Sequence, residues 1–213
     1  MFSFPSRLYA ILDVDAANSR GHEPLGLLDA WLGAGVRLVQ LRAKATDSGE
    51  LLTLADDMAA RCRLAGAMFI VNDRADIAMM AGAHGVHVGQ DDLPPSDVRT
   101  VVGGKAIVGL STHTDAQLDA ACAEPVSYLA IGPVFGTTSK ALPDPTVGLD
   151  MVERAARRAH KAGIPLVGIG GITLATAPAV IRAGADAVAV ISDLLVGDVG
   201  ERAREFLRGL PPT

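Results

Sequence analysis

Eight short runs of apolar, often β-branched residues recur along the chain: LYAIL from residue 8, VRLVQL from 36, MFIV from 68, GVHV from 85, AIVGL from 106, YLAI from 128, PLVGI from 165 and AVAVI from 187. Between them lie segments whose apolar positions fall three or four apart. The clearest joins Leu51, Leu54, Met58, Cys62 and Ala65 on one helical face, with charges opposite. The order is strand, helix, strand, repeated. Strands that are apolar on both faces, each followed by a helix, predict a parallel sheet covered on its outer side. Eight such units predict an α/β protein of the (β/α)8 TIM-barrel class, a single domain over residues 1–213. A doubly wound open sheet has the same local pattern and is the alternative. No linker or low-complexity stretch divides the chain.

Composition narrows the picture. With 49% hydrophobic and 20% charged residues in 213, the chain can bury one substantial core. Nineteen basic against twenty-four acidic residues give a net charge of -5. That excludes a broad basic face for nucleic acid or anionic lipid, so any polyanionic ligand must be held locally. The stretch from Ile164 to Ile181 carries no charge, but Pro165, Gly168, Gly170, Gly171 and Pro178 interrupt it, which argues against a membrane span. The opening MFSFPSRLYAILDVD holds Pro5 and Arg7 and lacks a small-residue cleavage site, so a cytoplasmic protein is expected. Cys62 and Cys122 stand alone in expected helices, without metal-ligand spacing, and read as buried free thiols.

In a barrel, chemistry belongs where strands end and the following loops begin. Gln40, Arg42 and Lys44 are spaced by two and share one side of a strand, opposite Val39 and Leu41. They suit an anion pocket, or else a strand running out into solvent. The third run ends in Asn72-Asp73, where Asp73 suits either the N-cap of a helix starting at Arg74 or a metal ligand. GVHVGQDD ends in Asp91 and Asp92, which fit a solvated turn before Leu-Pro-Pro or a metal site. In Ser111-Thr112-His113-Thr114, the hydroxyls suit a helix cap or a phosphate, while His113 reads as a loop histidine and His87 as a satisfied core residue. The longest strand-to-helix loop, from Gly132, offers Thr137, Thr138, Ser139 and Lys140 to oxyanions, or is simply a polar loop. Gly170-Gly171 and Ile191-Ser192 fall at the seventh and eighth strand ends, where backbone N–H groups bind phosphate in this fold. Two phosphorylated substrates would fit. Asp73 and Asp92 could supply the one or two carboxylates that Mg²⁺ takes together with substrate phosphate oxygens.

QLRAK, VNDRADIA, GAHGVHVGQDDLP, GLSTHT, YLAIGPVFGTTSK, VGIGGI and AVAVIS, in that order over nearly the whole chain, closely resemble the thiamine-phosphate synthases, (β/α)8 barrels of thiamine biosynthesis. The resemblance implies a Mg²⁺-assisted alkyl transfer that joins aminopyrimidine methyl diphosphate to hydroxyethylthiazole phosphate and releases pyrophosphate. It implies that Gln40, Arg42, Lys44, Asn72 and Lys140 hold the pyrimidine diphosphate, with Ser111 close to the reacting diphosphate and Asp73 and Asp92 on Mg²⁺. Thr137 and Ser139, with the backbone around Gly171, Ile191 and Ser192, would meet the thiazole phosphate. Arg42, Ser111 and Lys140 are the candidates for catalysis. Ala43 stands where an acidic residue is common, and His84 where Asp is frequent. The implied partners are small molecules, without nucleic acid or membrane, and a homo-oligomer is left open. Two alternatives are a thiazole tautomerase, whose isomerisation needs neither Mg²⁺ nor a diphosphate site, and a non-catalytic phosphate-ligand sensor. The set Arg42, Lys44, Asn72, Asp73, Asp92 and Lys140 argues for the synthase.

Overall fold

The computed structural model describes residues 2–136 and 145–211. Each of the eight apolar runs forms a strand: β1 (Leu8–Asp13), β2 (Leu38–Arg42), β3 (Met68–Asn72), β4 (Gly85–Val88), β5 (Ile107–Thr112), β6 (Tyr128–Ile131), β7 (Leu166–Ile169) and β8 (Ala187–Val190). Every strand pairs in parallel with the next, and β1 pairs with β8, which closes the barrel and sets aside the open sheet. Around it run α1 (Val14–Asn18), α2 (Pro24–Ala34), α3 (Ser48–Leu64), α4 (Ala75–Met80), α5 (Pro95–Val102), α6 (Asp115–Ala121), α7 (Gly148–Lys161), α8 (Ala177–Arg182) and α9 (Val199–Gly209). A 3₁₀ turn at Ser192–Leu195 precedes α9. The short α1 is an addition to the eightfold alternation, and it starts directly at the end of β1.

Alternation along the strands divides the core into two shells. Leu8, Ala10 and Leu12 face outward under the helices. Tyr9, Ile11, Leu38, Ile70, Tyr128, Ala130 and Val167 fill the barrel interior, with Phe4 packed edge-on against Tyr128, ring centroids 5.2 Å apart. Outside, Trp31 of α2 and Phe206 of α9 belong to the same cluster and are fully buried, so Phe206→Ala would cost about 3–5 kcal/mol. On α3 the buried face is Leu51, Ala55, Met58, Ala59 and Cys62, while Leu54 and Ala65 lie half-buried at its edges.

Helix ends follow local chemistry. Glu23 accepts hydrogen bonds from Leu25 N (3.0 Å) and Gly26 N (2.6 Å), Pro24 opens α2, and Gly35 ends it at φ 103°. The expected cap at Asp73 is not made, because the helix begins at Ala75 and Asp73 itself adopts a left-handed φ of 61°. Thr114, rather than Ser111 or Thr112, caps α6, its hydroxyl accepting from Gln117 N at 3.2 Å. Thr112 instead faces away from the barrel mouth, fully buried, and donates to Ala130 O at 2.9 Å. Cys62 is buried, which pushes its thiol up to about 12, whereas Cys122 is only half-buried at the C-cap of α6. Among the described residues no helix is long and apolar enough to cross a membrane. The uncharged stretch from Ile164 is β7, a glycine turn and α8.

Candidate active site

The inward register carries a sequence of polar residues to the carboxyl ends of the strands. Asp13 pairs with Arg42 across β1 and β2, two residues above the Ile11–Gln40 pair. Their side chains form an ion pair, and Asp13 is only 4% exposed. The other carboxylate oxygen of Asp13 accepts from Ala16 N at 2.8 Å and so caps α1. One buried carboxylate therefore both orients a guanidinium and starts the helix beside the mouth. A cleft of about 440 Å³ opens there, lined by Asp13, Asp15, Ala16, Ser19, Arg20, Arg42 and Ser192.

Gln40, Arg42 and Lys44 were expected to converge, but β2 stops at Arg42 and the three fan out, each toward a different acceptor. Gln40 points into the barrel, where Nε2 donates to the Tyr9 hydroxyl at 2.7 Å. Arg42 leans to β1. Lys44 leans the other way, with Nζ 3.3 Å from Asp73 Oδ2. Asp73 also shares a hydrogen bond with Asp92. Burial, then the hydrogen bond and charge of Asp92, push the Asp73 carboxyl up, against a partial opposing pull from Lys44. Asp92 Oδ2 additionally accepts from Gly89 N at 2.7 Å. Of the two adjacent acids, Asp92 is half-buried in this cluster and Asp91 is exposed. Asn72, half-buried, pairs in register with His87 of β4.

Below this rim the barrel interior is hydrogen-bonded across its width. Tyr9 and Tyr128 hydroxyls lie 3.0 Å apart, Tyr128 Oη is 2.9 Å from His87 Nδ1, and His87 Nε2 is 2.8 Å from Ser111 Oγ. His87 is thus a buried, satisfied residue as expected, yet it touches a candidate catalytic side chain. His113 acts as a tether between strand ends, its Nδ1 2.6 Å from Gly132 O.

After β7 and β8 the rim is built largely from backbone, and through Ser192 it adjoins the Arg42 cleft. Gly170 and Gly171 follow β7 at φ 93° and 66°. A Cβ at Gly171 would sit 2.4 Å from Gly136 O, so only glycine lets the loops after β6 and β7 pack this closely. Asp193 fastens the next loop, accepting from Leu174 N and from Arg202 Nη2, each at 2.7 Å. Ile191 and Ser192, both half-buried, open the 3₁₀ turn between them and this brace. Thr137, Ser139 and Lys140 lie outside the described residues.

Residues 8–194 match the family described as thiamine monophosphate synthase. The chain belongs to that family. Over 207 residues it is 48% identical to a thiamine-phosphate synthase of Koribacter versatilis, a match spanning 95% of this chain and 94% of the relative. A thiamine-phosphate synthase of Acidothermus cellulolyticus is 44% identical over 203 residues, or 94% of this chain and 93% of that one. Among solved structures, a thiamine phosphate pyrophosphorylase from Pyrococcus furiosus is 27% identical with a TM-score of 0.83, covering 95% of this chain and 94% of its own.

In this thiamine monophosphate synthase family member, sequence reasoning missed Asp13, Tyr9 and Tyr128. Asp13 closes an apolar strand just ahead of Val-Asp-Ala-Ala, so its acidic character at a strand end was a usable signal. The tyrosines gave none, because a tyrosine inside an apolar run reads as packing.

Proposed function

We propose that this chain condenses aminopyrimidine methyl diphosphate with hydroxyethylthiazole phosphate to give thiamine phosphate and pyrophosphate. The observation that carries this reading is the meeting of Asp73 and Asp92 beside Lys44. Two half-buried carboxylates held together against their repulsion form a donor set that fits a divalent cation. Among the described residues no third His, Cys, Asp or Glu joins them. That count suits Mg²⁺, which takes one or two carboxylates and completes its shell with phosphate oxygens and water. When bound, Mg²⁺ would neutralise diphosphate charge and ease departure of pyrophosphate.

The chain's own residues then divide the work. Arg42, held by Asp13, donates to the diphosphate, and Lys44 adds a second positive charge beside it. The Ser111 hydroxyl reaches the same group from the barrel interior, and Lys140 is assigned there from the sequence. The methyl C–O bond breaks with its electron pair going to the pyrophosphate oxygen, and the thiazole nitrogen lone pair forms the new C–N bond. If the first bond breaks ahead of the second, a resonance-stabilised pyrimidine methyl cation lies between them, and water must be kept from it. The backbone around Gly171, Ile191 and Ser192, with Thr137 and Ser139, holds the thiazole phosphate. Fixed donors to the charge that develops on the departing diphosphate, such as Arg42, typically contribute about 100- to 1,000-fold each to rate. Both substrates carry phosphate and do not cross a bilayer unaided, which favours a cytoplasmic location.

The test is to mix purified protein with both substrates, with and without Mg²⁺, and to measure thiamine phosphate by fluorescence after oxidation to thiochrome. Magnesium-dependent product that falls sharply in Asp92→Asn is expected. Folded wild-type protein that forms no product would reject the synthase and favour the tautomerase.

A further inference from the structure

Side chains from five strands form one unbroken line of hydrogen bonds through the barrel: Gln40 of β2, Tyr9 of β1, Tyr128 of β6, His87 of β4 and Ser111 of β5. Its two ends are residues assigned to the pyrimidine diphosphate. Its middle is sealed, with Tyr9 and Tyr128 each 1% exposed and His87 6%. The room for it is written into β5. Gly109 lies between His87 and Tyr128 in register, and a Cβ there would sit 2.1 Å from Tyr128 Cζ and 2.5 Å from His87 Nδ1. A glycine at this one position lets its two flanking side chains meet over it, their rings stacked at 5.5 Å.

The line has a direction. The Gln40 amide nitrogen can only donate, so the Tyr9 oxygen accepts at that end. Burial pushes both phenols well above their ordinary range, so each keeps its single hydrogen. Among the described residues the sealed Tyr9 hydrogen has only the Tyr128 oxygen as an acceptor, so Tyr9 donates to Tyr128, which leaves the Tyr128 hydrogen for His87 Nδ1. An imidazole accepting at Nδ1 carries its hydrogen on Nε2, which it gives to Ser111 Oγ. Ser111, already accepting from His87, has its own O–H to offer to the pocket.

We infer that this line is a polarity relay in which Gln40, Tyr9 and Tyr128 fix the Nε2–H tautomer of His87, and His87 is the positioning residue that makes Ser111 a hydrogen-bond donor to the departing diphosphate. The inference rests on the proposed function, since that reading puts the diphosphate at Ser111. Its chemical purpose is selective. A hydroxyl that donates strengthens its bond as negative charge builds on the leaving oxygen, whereas one that spends its hydrogen on His87 turns lone pairs toward that charge. Tyr9, Tyr128 and His87 thereby act on the rate through Ser111.

The test reads the tautomer and the kinetics together. In the ¹⁵N-labelled full chain, His87 ring nitrogens are assigned by their loss in His87→Gln, and wild type is expected to show the Nε2–H form. In Tyr128→Phe that single form is lost. The kcat for thiamine phosphate then falls by about 10- to 100-fold, the effect that outer orienting groups have at metal sites. KM for both substrates stays within about twofold, because uniform binding is untouched. Should Tyr128→Phe fail to fold, Tyr9→Phe cuts the line one link earlier and is read in the same two ways. Wild type that makes thiamine phosphate with His87 in the Nδ1–H form overturns the relay alone, as does an unchanged kcat in the folded Phe variant. Wild type with the Nε2–H form and no thiamine phosphate overturns the placement of a diphosphate at Ser111, and the proposed function with it.

Discussion

The two sides of the barrel mouth are made of different material. From β1 to β4 the rim is charged side chains, and each is already engaged: Arg42 with Asp13, Lys44 with Asp73, Asp73 with Asp92. After β7 and β8 it is backbone, with two left-handed glycines and the start of a 3₁₀ turn. Side-chain charges can exchange partners and protons, whereas backbone amides present the same partial charge at every step. On the proposed reaction, the first arrangement suits a diphosphate whose charge and bonding change as it leaves. The second suits a phosphate that is held unchanged from substrate to product.

Removing Arg42 should separate the two sides most strongly. Arg42→Ala should lower kcat by about 100- to 1,000-fold, the usual loss for one fixed donor to developing charge. KM for the thiazole phosphate should hardly move in the same steady-state experiment, and a parallel rise in that KM would mean that the two sides are one site. On the glycine side the expected effect is smaller and falls on binding. Gly171→Ala puts a Cβ 2.4 Å from Gly136 O at a φ of 66°, strain of about 1–3 kcal/mol. A shift of about 1.4 kcal/mol corresponds to roughly a tenfold rise in KM for the thiazole phosphate. Titration of each substrate separately checks it, and equal losses for both would contradict the division.

The same contrast explains what the sequence made legible. All eight strands were readable, because apolar runs broken by helical periodicity leave few alternatives. Their number favoured a closed barrel over the open sheet, and the pairing of β1 with β8 decides it. At the site, residue types at strand ends pointed to the rim where Asp73, Asp92 and Lys44 meet, and of the two adjacent acids Asp92 is the one half-buried there. Direction was not readable. Spacing by two put Gln40, Arg42 and Lys44 on one side, yet their heads diverge because Tyr9, Asp13 and Asp73 attract them separately. Those acceptors come from other strands, and only closure of the barrel brings them near. Asp73 failed as a helix cap for a related reason: its carboxylate is taken by Lys44 and Asp92, at a backbone conformation that precedes the helix. Of the hydrogen-bonded interior only His87 was legible, as a satisfied core residue, and its partners were hidden because Tyr9, His87 and Tyr128 lie in three separate apolar runs.

Smaller changes refine the charged side. Asp13→Asn keeps an N-cap for α1 but weakens the hold on Arg42. Loss of a charge-assisted bond should cost about 1.5–3 kcal/mol of stability in urea unfolding. If Arg42 depends on Asp13 for its aim, kcat also falls, by up to about 100-fold for a misplacement near 1 Å. An Asp13→Asn protein that is less stable but fully active would leave Asp13 as a helix cap only.

The smallest expected effect has the opposite sign. Burial and Asp92 raise the folded pKa of Asp73 above its unfolded value, so the native state prefers this carboxyl protonated. Its contribution to stability is complete below the unfolded pKa of about 3.9 and is lost as pH rises through the higher folded value. At neutral pH without metal, the ionised pair therefore costs stability, and Asp73→Asn should unfold at a higher temperature than wild type. The gain would be roughly 2–4 °C for each kcal/mol recovered. It should vanish on acidification, where wild type carries the proton itself. Added Mg²⁺ should narrow it too, because the cation stabilises the wild-type pair and has less to hold in the variant. Thermal unfolding of both proteins at neutral and acid pH, with and without Mg²⁺, reads all three arms. A variant less stable than wild type at neutral pH would mean that the Lys44 contact at 3.3 Å outweighs the repulsion between the two acids. The charged side would then be a self-neutralised cluster rather than one waiting for a cation.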